Sequence, residues 1–265
     1  MKFNPLILLL VLISSTTLVA QKLYLQKEFS IQADFFTVDN FENIYTVKGD
    51  ELFKFNKHGD LLNQYSSKLL GNITSIDVSN PLKILVYYQD LAQIVFLDNT
   101  LSSQNNTLAL DEINLEQVNL VCSSVNSSIW AYDPQLIRLV RLDNNSAIIA
   151  ESANIYTQIR GELNPNFMVE RNNWLYLNNP EKGILVFDIF GAYAKTIPLK
   201  NLSYFQIAEG KIYYATGQKL NCFDQKTLSE TSLEIPHTAI NNIRMGKNKL
   251  FVLDSHSIKV YEIRS

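Results

Sequence analysis

The sequence predicts an all-β fold, a six-bladed β-propeller whose last blade is closed by an N-terminal strand. Three observations predict it. A β-rich phrase recurs six times along the 265 residues. Two separate anchors inside that phrase drift together from copy to copy. The last copy lacks a fourth strand, while the chain start carries a strand with no repeat of its own.

The first anchor is a short apolar run. It reads Asn43-Ile44-Tyr45-Thr46-Val47, then Lys83-Ile84-Leu85-Val86-Tyr87, then Ser128-Ile129-Trp130-Ala131-Tyr132. It returns as Asn173-Trp174-Leu175-Tyr176-Leu177, Lys211-Ile212-Tyr213-Tyr214-Ala215 and Lys249-Leu250-Phe251-Val252-Leu253. The second anchor closes the next run at Phe55-Asn56, Leu97-Asp98, Leu142-Asp143, Phe187-Asp188, Phe223-Asp224 and Tyr261-Glu262. A period of roughly 40 residues with several short strands per unit is the mark of a propeller.

The runs are apolar on both sides of the strand, as in Ile84-Leu85-Val86-Tyr87. A blade sandwiched between neighbours buries both faces, so strict alternation is lost. An inner strand precedes each run: 35–38, 73–78, 120–124, 167–170, 204–208 and 243–245. An outer strand follows, as at 61–65 and 147–151. The sixth repeat ends after its third strand, and Lys22 to Ser30 reads as the missing outer strand. Pairing the two chain ends leaves no long open edge.

Residues 1–20 read as a secretory signal and 21–265 as the propeller. A basic start at Lys2, an apolar run from Leu6 and a small residue at Ala20 form the signal pattern. The expected location is therefore periplasmic or secreted. No later apolar run reaches membrane-spanning length. The net charge of −3 provides no basic face for nucleic acid. With 46% hydrophobic and 18% charged residues, a sizeable core is expected. Cys122 and Cys222 fall in non-adjacent repeats and are expected as two separate buried thiols.

The first repeat, Thr37-Val38-Asp39-Asn40-Phe41-Glu42-Asn43-Ile44-Tyr45-Thr46-Val47 through Leu52-Phe53-Lys54-Phe55-Asn56-Lys57-His58-Gly59-Asp60-Leu61, resembles an NHL-type propeller repeat. That resemblance implies the propeller and leaves function open, because such propellers bind ligands, bind partners or occasionally catalyse. Size, export without a lipid anchor and a single compact propeller are also similar to the periplasmic plug proteins of the type 9 secretion translocon. That likeness implies a protein partner, an outer-membrane translocon contacted at the periplasmic mouth of its pore.

No catalytic residue is assigned and no cofactor is expected. There is no G-x-S-x-G elbow and no phosphate-binding glycine loop. Histidine is limited to His58, His237 and His256, without three-ligand metal spacing. NHL-like lyases gather several His around the channel, and this chain does not supply that set. Asp34, Asn166 and Asn242 stand just before inner strands and are weak candidates for a Ca²⁺ site at the channel mouth; turn chemistry is the favoured explanation for them. They carry the alternative of a channel-centred, Ca-dependent lactonase- or lyase-like enzyme. A glycan-binding propeller is a further alternative. The Asp or Asn ending each third strand recurs in every repeat, which marks it as structural. The leading expectation is a non-catalytic protein-binding module. Its candidate contact residues lie on the rim formed by the second-to-third hairpins and blade connections: Tyr88, Asp90, Tyr132, Asp133, Asn178, His237 and His256.

Overall fold

The structure, a computed structural model, describes residues 22–236 and 240–264. The stretch read as a secretory signal lies outside them. Six four-stranded antiparallel sheets form the blades of a six-bladed β-propeller. Blade one comprises Phe35–Val38, Ile44–Lys48, Glu51–Phe55 and Leu61–Ser66; blade two Ser75–Asp77, Ile84–Tyr88, Gln93–Leu97 and Ser103–Ala109. Blade three comprises Leu120–Ser123, Ile129–Asp133, Arg138–Leu142 and Ile148–Glu151; blade four Phe167–Arg171, Trp174–Asn179, Gly183–Asp188 and Tyr193–Ile197. Blade five comprises Gln206–Ala208, Lys211–Thr216, Lys219–Asp224 and Glu230–Glu234. Blade six takes Asn242–Met245, Lys249–Leu253 and Ser257–Arg264, and its outer strand is Lys22–Ser30. No helix among the described residues is long and apolar enough to cross a membrane.

The core lies between blades. Among the described residues six apolar clusters form, each joining two consecutive blades. Every residue of Ile84–Tyr88 is buried. Ile84, Val86 and Tyr88 pack toward blade one, whereas Leu85 and Tyr87 pack toward blade three. The period of two is present, but both faces are dry, so the sequence reads as a continuous apolar run.

This packing corrects one register. Ile44 pairs with Phe55, Ile84 with Leu97, Ile129 with Leu142, Ile212 with Phe223 and Leu250 with Tyr261. In blade four the equivalent pair is Leu175 with Phe187. Leu175 faces blade three and Tyr176 faces blade five. The anchor is therefore Leu175 rather than Trp174; a one-residue slip would turn every side chain to the wrong neighbour. Trp174 falls outside the packed run and is 41% exposed.

The ring closes as the sequence predicts. Lys22–Ser30 runs antiparallel to Ser257–Arg264 from Lys22↔Arg264 to Ser30↔Ser257, with a bulge between Leu25 and Lys27. Glu28 accepts from the Ser257 hydroxyl at 2.9 Å. Lys249 of blade six pairs with Glu42 of blade one at 2.5 Å, across the closing interface.

The recurrent Asp or Asn after each third strand has a local cause. Asp188 Oδ1 accepts from Phe190 N at 2.8 Å and Ala192 N at 2.9 Å. Asn56, Asp98, Asp143 and Asp224 repeat the motif on the residue two ahead. A short carboxylate or amide bonding its own backbone is how Asx residues set a turn. Blade six departs from the pattern. Glu262 lies within a continuous strand and pairs with Arg264 at 2.6 Å, since the chain makes no turn there.

Candidate functional site

The six inner strands surround a central cavity of about 1090 Å³. Its wall mixes apolar side chains, such as Val38, Ile76, Leu120, Phe167 and Ile207, with polar and charged ones. Its carboxylates are mostly committed. Asp39 accepts from Phe41 N, Asn43 N and the Tyr45 hydroxyl at 2.8, 2.9 and 3.0 Å. Asp77 accepts from Ser79 N at 2.8 Å and, across to blade three, from Ser123 N at 2.9 Å. Gln206 of blade five clasps Met245 of blade six, donating to its carbonyl and accepting from its N–H, both at 2.8 Å.

Arg244 stands apart. It is 6% exposed and lines the cavity. Its guanidinium lies 3.6 Å from the Tyr204 ring centroid and 5.4 Å from that of Phe36. Burial lowers its pKa from the usual arginine value, opposed by the neighbouring Tyr204.

The three candidate metal-site oxygens do not converge on a metal. Asp34 is exposed and accepts from Gly49 N at 2.8 Å. Asn166 lines the cavity, but its Oδ1 accepts from Asn178 Nδ2 at 2.6 Å. Asn242 Oδ1 accepts from the Arg244 guanidinium. An oxygen already bound to a cation is a poor second ligand for Ca²⁺. Among the described residues no group of three or more His, Cys, Asp or Glu could hold a metal.

The rim candidates divide by burial. Tyr88, Tyr132, Asp133 and Asn178 are buried, which corrects their reading as exposed contacts. Tyr88 and Tyr132 extend the interblade packing. Asp133 accepts from Gln135 N at 3.0 Å and pairs with Arg138 at 2.9 Å, shaping its own hairpin. Asn178 donates to Asn166 Oδ1 and to Leu202 O, both at 2.6 Å. Asp90 and His256 are exposed. His237 lies outside the described residues. Cys122 is buried, and burial pushes its thiol pKa well up; Cys222 is only half-buried, and both are free.

The opposite face, formed by the inner-to-second and third-to-outer turns, carries the larger apolar groups. Phe41, Leu82, Trp174, Phe190 and Leu228 are exposed there, contributed by blades one, two, four and five. The sequence contained the signal: bulky apolar residues inside turns such as Asp188-Ile189-Phe190-Gly191, where turn chemistry asks for small polar ones. The rim face exposes Leu69, Leu91, Leu136 and Tyr156, from blade one to the start of blade four.

No protein-family model and no curated protein matches the sequence. Solved structures match the fold. Virginiamycin B lyase from Staphylococcus aureus superposes with a TM-score of 0.61 at 12% identity, over 91% of this chain and 99% of that one. BamB from Moraxella catarrhalis gives 0.54 at 10%, over 91% and 100%. A chain of the mitotic checkpoint complex gives 0.66 at 10%, over 100% of each. At these identities the likeness is one of fold, and it spans an enzyme and a chain of a protein complex alike.

Proposed function

We propose that this chain is an exported, non-catalytic propeller that serves as a protein-binding module, docking through its turn face at the periplasmic side of an outer-membrane secretion pore. The observation that carries the docking is the exposure of Phe41, Trp174 and Phe190, with Leu82 and Leu228, on one face of a rigid ring. Aromatic side chains are enriched at the centres of interfaces, and fully burying one contributes about 1.5–3 kcal/mol. Interblade packing fixes the blades that carry them, so little backbone has to be ordered on binding. The pattern of the first twenty residues supports export. The NHL-like first repeat and the fold shared with a checkpoint-complex chain are consistent with an assembly role.

The test is affinity isolation of the tagged full chain from the native envelope under mild extraction. The reading expects an outer-membrane pore protein in the eluate. Recovery of no envelope partner counts against it. The lyase neighbour favours a second reading, a channel-centred enzyme. Stoichiometric metal in the purified protein, together with Ca²⁺-dependent melting, would select it.

A further inference from the structure

We propose that the central cavity holds a binding site for a small organic anion, a carboxylate with an apolar body, whose anchor is Arg244. The inner-strand positions equivalent to Arg244 pair with Tyr45, Leu85, Trp130, Tyr176 and Tyr213 and hold Thr37, Asp77, Cys122, Val169 and Gln206. Blade six alone places a cation there. Asp77 and Gln206 reach the next blade with neutral or acidic groups that are fully used. Arg244 breaks the ring's symmetry with a charge.

That charge has no carboxylate partner among the described residues. Nε donates to the Thr37 hydroxyl at 3.3 Å, and Nη1 donates to the Ile243 carbonyl at 2.7 Å and to Asn242 Oδ1. A guanidinium carries five N–H donors, two of them on Nη2. Nη2 makes no hydrogen bond among the described residues, and it is not among their fully buried unpaired atoms. Arg244 lines the cavity, and Nη2 is the donor it has left to offer there. An uncompensated buried cation is costly unless something supplies the missing charge. None of the cavity's own acids bonds to the guanidinium: Asp39 and Asp77 hold backbone amides, Glu42 pairs with Lys249, and Glu209 is exposed on the inner-to-second turn of blade five. Arg171 and Lys247 add positive charge to the wall. Tyr204 stacks on the guanidinium and meets Phe167 at 4.5 Å, so the charged group sits beside an apolar surface. A carboxylate on Nη2 with its hydrocarbon part along that wall satisfies both.

The experiment compares benzoate with benzamide, its neutral isostere, on the purified chain by thermal shift and titration calorimetry. The site predicts a saturable rise in melting temperature with benzoate and none with benzamide. Arg244→Met is expected to lose the benzoate response and to melt no lower than the parent, since an apolar isostere removes an uncompensated charge. Arg244→Lys keeps a charge without the stacked fork and is expected to weaken benzoate at least tenfold. Equal responses to benzoate and benzamide overturn the site. So does a benzoate response that survives in Arg244→Met, or one that chloride reproduces at the same concentration. A large drop in melting temperature for Arg244→Met, with no benzoate effect on the parent, makes the arginine a structural clasp and also overturns it.

Discussion

Glu170 of blade four accepts the indole N–H of Trp130 in blade three at 2.8 Å, across a dry interface. The same carboxylate takes the Ser124 hydroxyl at 2.5 Å and Val125 N at 3.2 Å. Glu170 is 6% exposed, so these donors have no water to fall back on. Glu170→Ala should lower unfolding stability by about 3 kcal/mol and Trp130→Phe by about 1–2 kcal/mol. The double variant should lose less than the sum, because the two share one bond. Urea denaturation of the four proteins checks it; strict additivity would contradict the pairing.

The N-terminal strand completes blade six and covers the edge of the last strand. Removing residues 22–30 should leave that edge open and strip Phe29 from the cluster between blades one and six. The truncated protein is expected to lose its single cooperative transition and to self-associate. A monomer melting with the parent's cooperativity would show that closure does not depend on this strand.

Two glycines separate space from backbone strain. A Cβ on Gly183 (φ 107°) would lie 2.3 Å from the Ile197 carbonyl oxygen, whereas one on Gly210 (φ 76°) meets nothing within 4 Å. Both substitutions meet an unfavourable backbone region. Gly210→Ala should cost about 1 kcal/mol and Gly183→Ala at least twice that. Equal melting temperatures for the two variants would be inconsistent with the packing at that hairpin.

Several phenols are buried and resist ionisation. Burial, with Asp39 alongside, pushes Tyr45 far above the ordinary tyrosine value, and burial does the same for Tyr87. Tyr213 is pushed up to about 12 by burial and then by Cys222. The folded state therefore favours the protonated phenol. This contribution is complete below the unfolded tyrosine value of about 10 and declines as pH rises toward 12. Alkaline titration should show part of the 13 tyrosines ionising only together with the loss of circular dichroism. A smooth titration of all of them in folded protein would contradict this burial.

The blade number, the inner strands and the N-terminal closure were legible because each rests on a pattern that the interblade packing imposes on every copy. The register of blade four was not, because Trp174 is an exposed apolar residue at the very start of its strand and imitates the start of the buried run. The rim residues misled for the opposite reason. Tyr88 and Asn178 occupy polar-looking hairpin stretches, yet their strands continue into the blade interface and bury them. Arg244 gave no sign in Asn242-Ile243-Arg244-Met245, since only the register places it level with Thr37 and Gln206 and only the fold leaves it without an acid.

The docking face is tested most directly by affinity isolation with the parent chain and a Phe41→Glu/Phe190→Glu variant in parallel. Both substitutions lie in exposed turns, so the variant should melt within a few degrees of the parent. The account predicts that an outer-membrane partner recovered by the parent is lost from the variant, by roughly 30-fold or more if each side chain contributes about 1–2 kcal/mol. Equal recovery by both proteins would contradict docking through the turn face.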